Sequence, residues 1–479
     1  VPEDTAGLMI KAVGIRLSAE ATLISMGDVI LMKKDLIEAD QQCYLHPTSS
    51  IRVLQDKGAK VISRAKGSKI YDSAGKEYID GTASLWYSAI GHGREEIAQA
   101  AAEQIVTLDA YHSFNEFTNE PTTRLAEKVA EMVPIPAAKV FFTSSGSEAN
   151  ETLIKIARFY WHVMGKDSKD IIISREKAYH GVSSAAMMAT RLPGFHEGFA
   201  PLPSGFETIA PPYCYFCPWG KTYPGCSLEC AEALEEKIAG LGAGNVAAFI
   251  AEPVMGTGGI IVPPPGYYQR VSQICRQNEV LFIDDEVICG FGRTGDKMFG
   301  IEHWDGVIPD AMTLAKGITS GYVPLGAAVV SDSIFKALES RDRFYHGFTY
   351  SGHPLACRVG LVNIDILERE NLKSRAAEMG HRLAEGIRAL DLEAVGEVRN
   401  LGLMLGVELV KDRNDKKKFS APLAPRVVEI AYGKGLITRP LAGDILQFSP
   451  PLVITEEEID IIVEIIGPAI KAAYLEACE

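Results

Sequence analysis

At 479 residues, 47% apolar and 23% charged, the chain can bury a large core and has the length of two or three domains. Its 48 basic against 62 acidic residues leave a formal charge of -14, which disfavours a surface for nucleic acid or for an acidic membrane. No apolar run reaches the length of a spanning helix, no signal sequence is readable, and nine cysteines, an odd number, fit a reducing cytoplasm better than a disulfide scaffold.

Taken in order, residues 1 to about 40 mix charges, apolar residues and the glycines Gly7, Gly14 and Gly27, and read as an irregular arm. Residues 61–64 and 69–72, a turn at 73–75 and residues 78–80 read as a hairpin. Strand-like runs at 139–143, 171–174, 247–252, 280–285, 311–316 and 326–331 then alternate with helical ones. That alternation predicts a mostly parallel sheet covered by helices on both faces. Beyond Pro354, helical patterns at 355–370 and 372–390 precede a strand-like 403–409, so a smaller α+β domain is expected there.

Two of the apolar runs end on charges: Asp284-Asp285-Glu286 after one, Lys316 after the other. Parallel strands deliver their carboxyl ends to one crevice, so both charges arrive at one place. Alone, either is more often a solvated loop residue or half of an ion pair. Together they suit pyridoxal phosphate, which is held by a lysine through a Schiff base while a carboxylate keeps its pyridine nitrogen protonated. Side chains alternate along a strand, so Asp285 and Asp284 are expected to face opposite ways.

The run Phe141-Phe142-Thr143-Ser144-Ser145-Gly146-Ser147-Glu148-Ala149-Asn150 passes from a strand directly into a helical pattern. It reads equally as a capping box, Ser145 the cap and Glu148 reaching back, and as an anion site on the amides of Gly146 and Ser147 that would cradle a phosphate. Tyr179, in Tyr179-His180-Gly181, follows a strand and can lay its ring on a heterocycle. The loop Glu252 to Gly259 is glycine-rich but lacks dinucleotide spacing, and is first a tight turn.

These residues carry a resemblance. Asp284-Asp285-Glu286-Val287 with Gly290-Phe291-Gly292-Arg293-Thr294-Gly295, Leu314-Ala315-Lys316-Gly317, Ser145-Gly146-Ser147-Glu148, and the segment from His346 to Pro354 resemble the class III aminotransferases, best their ω-amino acid or amine:pyruvate branch, from about Tyr44 to the C-terminus. The resemblance implies an α/β type I pyridoxal-phosphate-dependent transferase fold, with a large domain around a seven-stranded, mostly parallel sheet and a small α+β domain. The expected divisions are residues 1–82 (arm and part of the small domain), 83–345 (large domain) and 346–479. It further implies a homodimer, or a tetramer built from it, with sites at the subunit interface.

Carried over by position, Lys316 matches the Schiff-base lysine and Asp285 the ring-nitrogen partner. Ser145, Gly146, Ser147 and Glu252 match cofactor-binding positions, Tyr179 and Val287 those enclosing the ring, and Thr349 a phosphate contact from the neighbouring subunit. Trp86 and Phe114 match residues of the substrate pocket, Phe114 from the partner side, and Arg439 matches the arginine that receives a substrate carboxylate. Thr257 stands where glutamate-using relatives carry a glutamate that pairs with this arginine, so Arg439 is expected unpaired, on a mobile segment from Gly435 to Gly443. Two departures bear on the donor: Thr48 replaces an aromatic after His46-Pro47, and Glu176 a tryptophan before the tyrosine motif.

The expected protein is thus a cytoplasmic, dimeric aminotransferase that binds pyridoxal 5'-phosphate and moves an amino group from a primary amine or ω-amino acid to a keto acid, pyruvate foremost. Decarboxylase or aminomutase chemistry would use the same Lys316 and Asp285. Cys214, Cys217, Cys226 and Cys230, in a proline-rich stretch, form C-x2-C-x8-C-x3-C. They read either as four small buried thiols or as a tetrahedral zinc set; no metal is assigned to the reaction, and a non-enzymatic zinc-binding protein is the rival from another class.

Overall fold

The computed structural model describes residues 36–341 and 343–478. Most of the expected N-terminal arm therefore lies outside the described residues, but its last stretch, 36–43, is helical rather than irregular. The chain divides into two compact units, residues 1–64 with 71–76 and residues 65–70 with 77–479. The described part of the first holds the helices 36–43 and Ile51–Lys57; Ser50 Oγ caps the latter by accepting from Val53 N at 3.4 Å.

The larger unit is built on a seven-stranded sheet. Its strands are β1 (Lys139–Thr143), β2 (Ile171–Arg175), β3 (Phe206–Ile209), β4 (Val246–Ala251), β5 (Leu281–Asp285), β6 (Ala311–Leu314) and β7 (Gly326–Val330), in the spatial order β1-β7-β6-β5-β4-β2-β3. Only β7 runs against its neighbours, β1 and β6; the pairs β6/β5, β5/β4, β4/β2 and β2/β3 are parallel. β4 to β7 are buried along their whole length, which is why they read as unbroken apolar runs.

Period-two alternation sorts the side chains between two cores. Ile250, Leu281, Ile283 and Ala328 pack with Leu153, Ile154 and Trp161 of helix α1 (Gly146–Val163) on one face. Phe249, Phe282, Met312 and Val329 belong to the larger core on the other. Asp285 shares the parity of Ile283 and so faces α1, whereas Asp284 shares that of Phe282.

After β7 come helices α2 (Pro354–Arg369) and α3 (Leu372–Ala389), then an antiparallel sheet of β8 (Val395–Leu401), β9 (Met404–Leu409), β10 (Arg439–Leu441) and β11 (Ile445–Phe448), ordered β8-β9-β11-β10. Helices α4 (Ala424–Gly433) and α5 (Glu456–Cys478) complete this region, the expected α+β arrangement. The strand Glu77–Asp80 pairs in parallel with Leu436–Ile437, joining an early segment to the C-terminal part.

Candidate active site

β5 and β6 are parallel neighbours in a register that sets Asp285 against Thr313, so the two charged strand exits do open at one edge. Three donors converge on the buried Asp285. Asn150 Nδ2 and His180 Nδ1 each lie 2.7 Å from its Oδ2, and Val287 N donates to its Oδ1 at 3.1 Å. Approach to an acceptor oxygen puts the His180 proton on Nδ1. Asn150 is itself fixed, donating to His180 O at 2.8 Å and accepting from Thr313 Oγ1 at 2.7 Å.

Lys316, in a short turn just after β6, has φ of 46°, a conformation that a non-glycine residue keeps only when its surroundings hold it there. Burial lowers its amine to about 8, although Asp285 and Glu252 pull upward. The residue as a whole is half-buried.

The α1 N-terminus is capped as expected at Ser145, whose Oγ accepts from Glu148 N at 3.2 Å. The return bond is displaced by one residue: Glu148 Oε2 accepts from Ser144 N at 2.7 Å rather than from Ser145. First-turn amides of a helix have no intrahelical acceptor, which leaves those of Gly146 and Ser147 free for an anion. Glycine at 146 also serves packing. A Cβ there would come within 2.9 Å of both Val287 methyl groups, so the residue makes room for the side chain that follows Asp285. Gly181 serves a similar close approach, since a Cβ on it would meet Ser147 Oγ at 2.6 Å.

Glu252 is buried and both of its oxygens are engaged by the backbone, Oε1 by Tyr179 N at 3.1 Å and Oε2 by Gly256 N at 2.8 Å. It ties the loop after β4 to the loop after β2. Burial raises its carboxyl. Tyr179 is half-buried, its ring edge-on to Phe195 at 5.6 Å, and its hydroxyl is raised by burial while the charge of Arg439 lowers it.

Arg439 makes no ion pair or side-chain hydrogen bond among the described residues; Tyr179 is the one group that offsets the lowering of its guanidinium by burial. The unpaired state matches expectation, and the segment is strand rather than loop at this point: Arg439 opens strand β10 and pairs with Gln447. Trp86 is buried among Val254, Ile288, Cys289 and Leu441, which come from the loops after β4 and β5 and from β10 itself.

Thr349 and Phe114 lie on neighbouring segments: a Cβ on Gly347 would lie 3.0 Å from the Phe114 ring. Both are exposed, as are Phe117, Tyr345 and Tyr350. His346 anchors that segment to α1 through Thr152 Oγ1, 2.8 Å away.

Sequence reasoning passed over Asn150 and His180. Asn150 stands one helical turn beyond Gly146, a polar residue on the same face, which was the readable signal. His180 had none beyond its neighbour Tyr179, because its contact with Asp285 spans two strand exits.

Pyridoxal phosphate needs a fixed carboxylate for its ring nitrogen, an amine for its carbonyl carbon and amides for its phosphate. The donor-held Asp285, the Lys316 amine lowered by burial and the α1 first turn meet those needs at one edge of the sheet. The sequence agrees over most of its length: the family model Aminotransferase class-III matches residues 53–470, and the chain belongs to that family. It is a pyridoxal-phosphate-dependent enzyme that transfers an amino group from an amine to a keto acid.

Among its relatives, it is 42% identical to the diaminobutyrate–2-oxoglutarate transaminase of Halomonas elongata, with 90% of this chain and 94% of the relative covered. It is likewise 42% identical to the putrescine–pyruvate aminotransferase of Pseudomonas aeruginosa, covering 87% and 91%. Its structure is similar to an (S)-enantioselective ω-transaminase of Thermomicrobium roseum, with TM-score 0.88, 44% identity, and 92% and 98% of the two chains covered. The ω-transaminase of Pseudomonas jessenii, solved in complex with PMP, gives TM-score 0.88 at 40% identity, covering 92% and 99%. A non-enzymatic zinc-binding protein is thereby set aside.

Proposed function

We propose that this aminotransferase takes its amino group from a primary amine or ω-amino acid and passes it to pyruvate, with Lys316 and Asp285 as the catalytic residues. The observation that carries the reading is the pairing of a donor-held carboxylate and a lysine amine at the exits of adjacent parallel strands. When bound, pyridoxal phosphate supplies an electron sink for the pair left on the donor carbon as its proton departs. Asp285, held by Asn150, His180 and the Val287 amide, would serve the ring nitrogen. The amides of Gly146 and Ser147 with Ser145 would hold the phosphate, and Tyr179 and Val287 would enclose the ring. Glu252 keeps the Tyr179 loop in place. The Lys316 amine, lowered to about 8, removes the donor proton and returns it, a role that needs a base whose neutral form is populated near neutral pH.

Arg439 receives the keto acid's carboxylate, for which its planar fork is suited. Support for pyruvate over 2-oxoglutarate comes from the absence of an acid on Arg439 among the described residues and from Thr257 in place of a glutamate; a relative named for each acceptor exists. Trp86 walls the amine side. We further read the protein as a cytoplasmic homodimer in which Thr349 and Phe114 serve the other copy's site; the exposed aromatic residues around them and nine free thiols support this.

A panel of β-alanine, taurine, diamines and aryl amines mixed with the holoenzyme tests the donor class. A competent donor should bleach the visible cofactor band, and pyruvate should restore it faster than 2-oxoglutarate. Recovery only with 2-oxoglutarate would overturn the acceptor assignment, and light scattering that gives a monomer would overturn the dimer.

A further inference from the structure

Between β3 and the helix Glu229–Leu241, residues 210–228 form neither helix nor strand. Connections of that length without secondary structure are uncommon in a compact protein and need another source of order. This one contains Cys214, Cys217 and Cys226, and Cys230 follows in the first turn of the helix. All four line one cavity, with Trp219 and Lys221 in its wall. The other five cysteines lie outside this cavity and, like these, are free thiols.

One local feature suits thiolate ligands. Cys217 O accepts from Gly220 N at 3.0 Å, folding the chain tightly back after the first Cys-x-x-Cys pair. As the side chains stand, no three His, Cys, Asp or Glu residues among the described residues are gathered tightly enough to hold an ion. Closure of the set therefore has to come with the ion.

We propose that Cys214, Cys217, Cys226 and Cys230 bind one zinc ion in a four-thiolate structural site. Each thiol gives its proton to solvent as its sulfur bonds to the ion, so four protons leave per zinc, no electron is transferred, and the site carries a charge of about -2. The Lys221 amine in the cavity wall offsets part of that charge. Four sulfur donors with no oxygen or imidazole among them select zinc over magnesium, calcium or manganese.

The ion braces the back of the cofactor pocket and takes no part in transamination. Tyr213, next to the first ligand, packs with Ala178, Met255 and Ile261, and Tyr215 and Phe216 pack against that cluster. Ala178 precedes Tyr179, and Met255 belongs to the loop after Glu252. The Tyr213 hydroxyl donates to the buried Glu408 of β9, which also meets Arg399 at 2.9 Å. Order in the cysteine loop is thus passed to both loops that Glu252 ties together.

Elemental analysis of the holoenzyme should find about one zinc per chain, released when a mercurial titrates four thiols. Refilling the stripped holoenzyme with cobalt(II) should give the d–d bands of tetrahedral thiolate coordination, at wavelengths beyond the cofactor band. Cys217→Ser and Cys226→Ser should lose the metal, and Cys43→Ser with Cys478→Ser should keep it. Should the ligand variants fail to fold, stripped wild type supplies the test: zinc chloride should raise its melting temperature by several degrees and leave kcat nearly unchanged. Iron in place of zinc, a thiol count lowered by disulfides, or stripped protein that takes up no zinc and melts at the same temperature would overturn the site.

Discussion

The two faces of β5 present the same side chain to opposite conditions. On the α1 face Asp285 is buried and receives three donors within 3.1 Å. On the other face Asp284 is equally buried, no donor group reaches either of its oxygens, and burial together with the neighbouring Glu286 carboxyl pushes its own carboxyl well above the usual range. Glu286, which accepts from Ile301 N at 2.8 Å, is itself raised to about 7. A buried charge is tolerable where donors compensate it, and elsewhere the group takes a proton instead. Position along a strand, not residue type, has decided which aspartate can serve a cationic ring nitrogen.

The largest effect expected is on the α1 face. Lys316→Ala should abolish turnover while the protein still binds pyridoxal phosphate noncovalently through the α1 first turn. Equilibrium dialysis of cofactor beside an activity assay checks both halves, and substantial turnover in variant purified free of wild type would remove Lys316 from its role. Next in size, Asp285→Asn should fold but transaminate about 100-fold or more slowly, because a charge aimed at the ring is neutralised. His180→Ala and Asn150→Ala should each fall between that variant and wild type, since they leave the carboxylate but not its orientation. The free amine of Lys316 has been lowered, so its basic form grows as pH rises through about 8; single-turnover proton abstraction should climb over that window and level off above it.

How far this was readable in advance depends on how local each cause is. The central strands were visible because burial on both faces leaves continuous apolar runs, and the parity of Asp284 and Asp285 followed from the pleat alone. β3 was missed: Phe-Glu-Thr-Ile is short, half-buried and at the sheet edge, so nothing forces its residues to be apolar. β10 was mistaken for a loop because Gly435, Pro440 and Gly443 punctuate it. It is an edge strand, where proline is tolerated, and its pairing with β11 overrides its composition. Lys316 and Ser145 could be found from sequence because strand exits and helix caps are local. His180 could not, for its partner lies 105 positions away.

The strand assignment of β10 sharpens what Arg439 should do. With its backbone held by Gln447, only the side chain can swing aside when an amine without a carboxylate enters. Arg439→Ala should raise KM for pyruvate by on the order of 10-fold, the loss of a charge-assisted bond of about 1.5–3 kcal/mol, and barely affect a simple amine. Half-reactions measured separately decide the matter: equal damage to both, or none to the pyruvate half, would rule out a carboxylate role. A smaller change, Thr257→Glu, offers Arg439 an acid and should move acceptor preference toward 2-oxoglutarate.

The smallest effect on activity should come from the other face, and there the comparison is most exposed to failure. If Asp284 is a neutral acid in the folded protein, Asp284→Asn replaces one uncharged polar group by another and should transaminate within about 3-fold of wild type. Stability should respond differently with pH. A carboxyl raised on folding binds more protons in the folded than in the unfolded state, so its favourable contribution is full below the ordinary carboxylate range and declines as pH rises through the folded value. Asparagine does not titrate and escapes that decline. The melting temperature of the variant relative to wild type should therefore increase from pH 5 to pH 8. A difference that shrinks or reverses over that range would mean that Asp284 is charged in the folded protein, and with it the contrast between the two faces of β5 would fail.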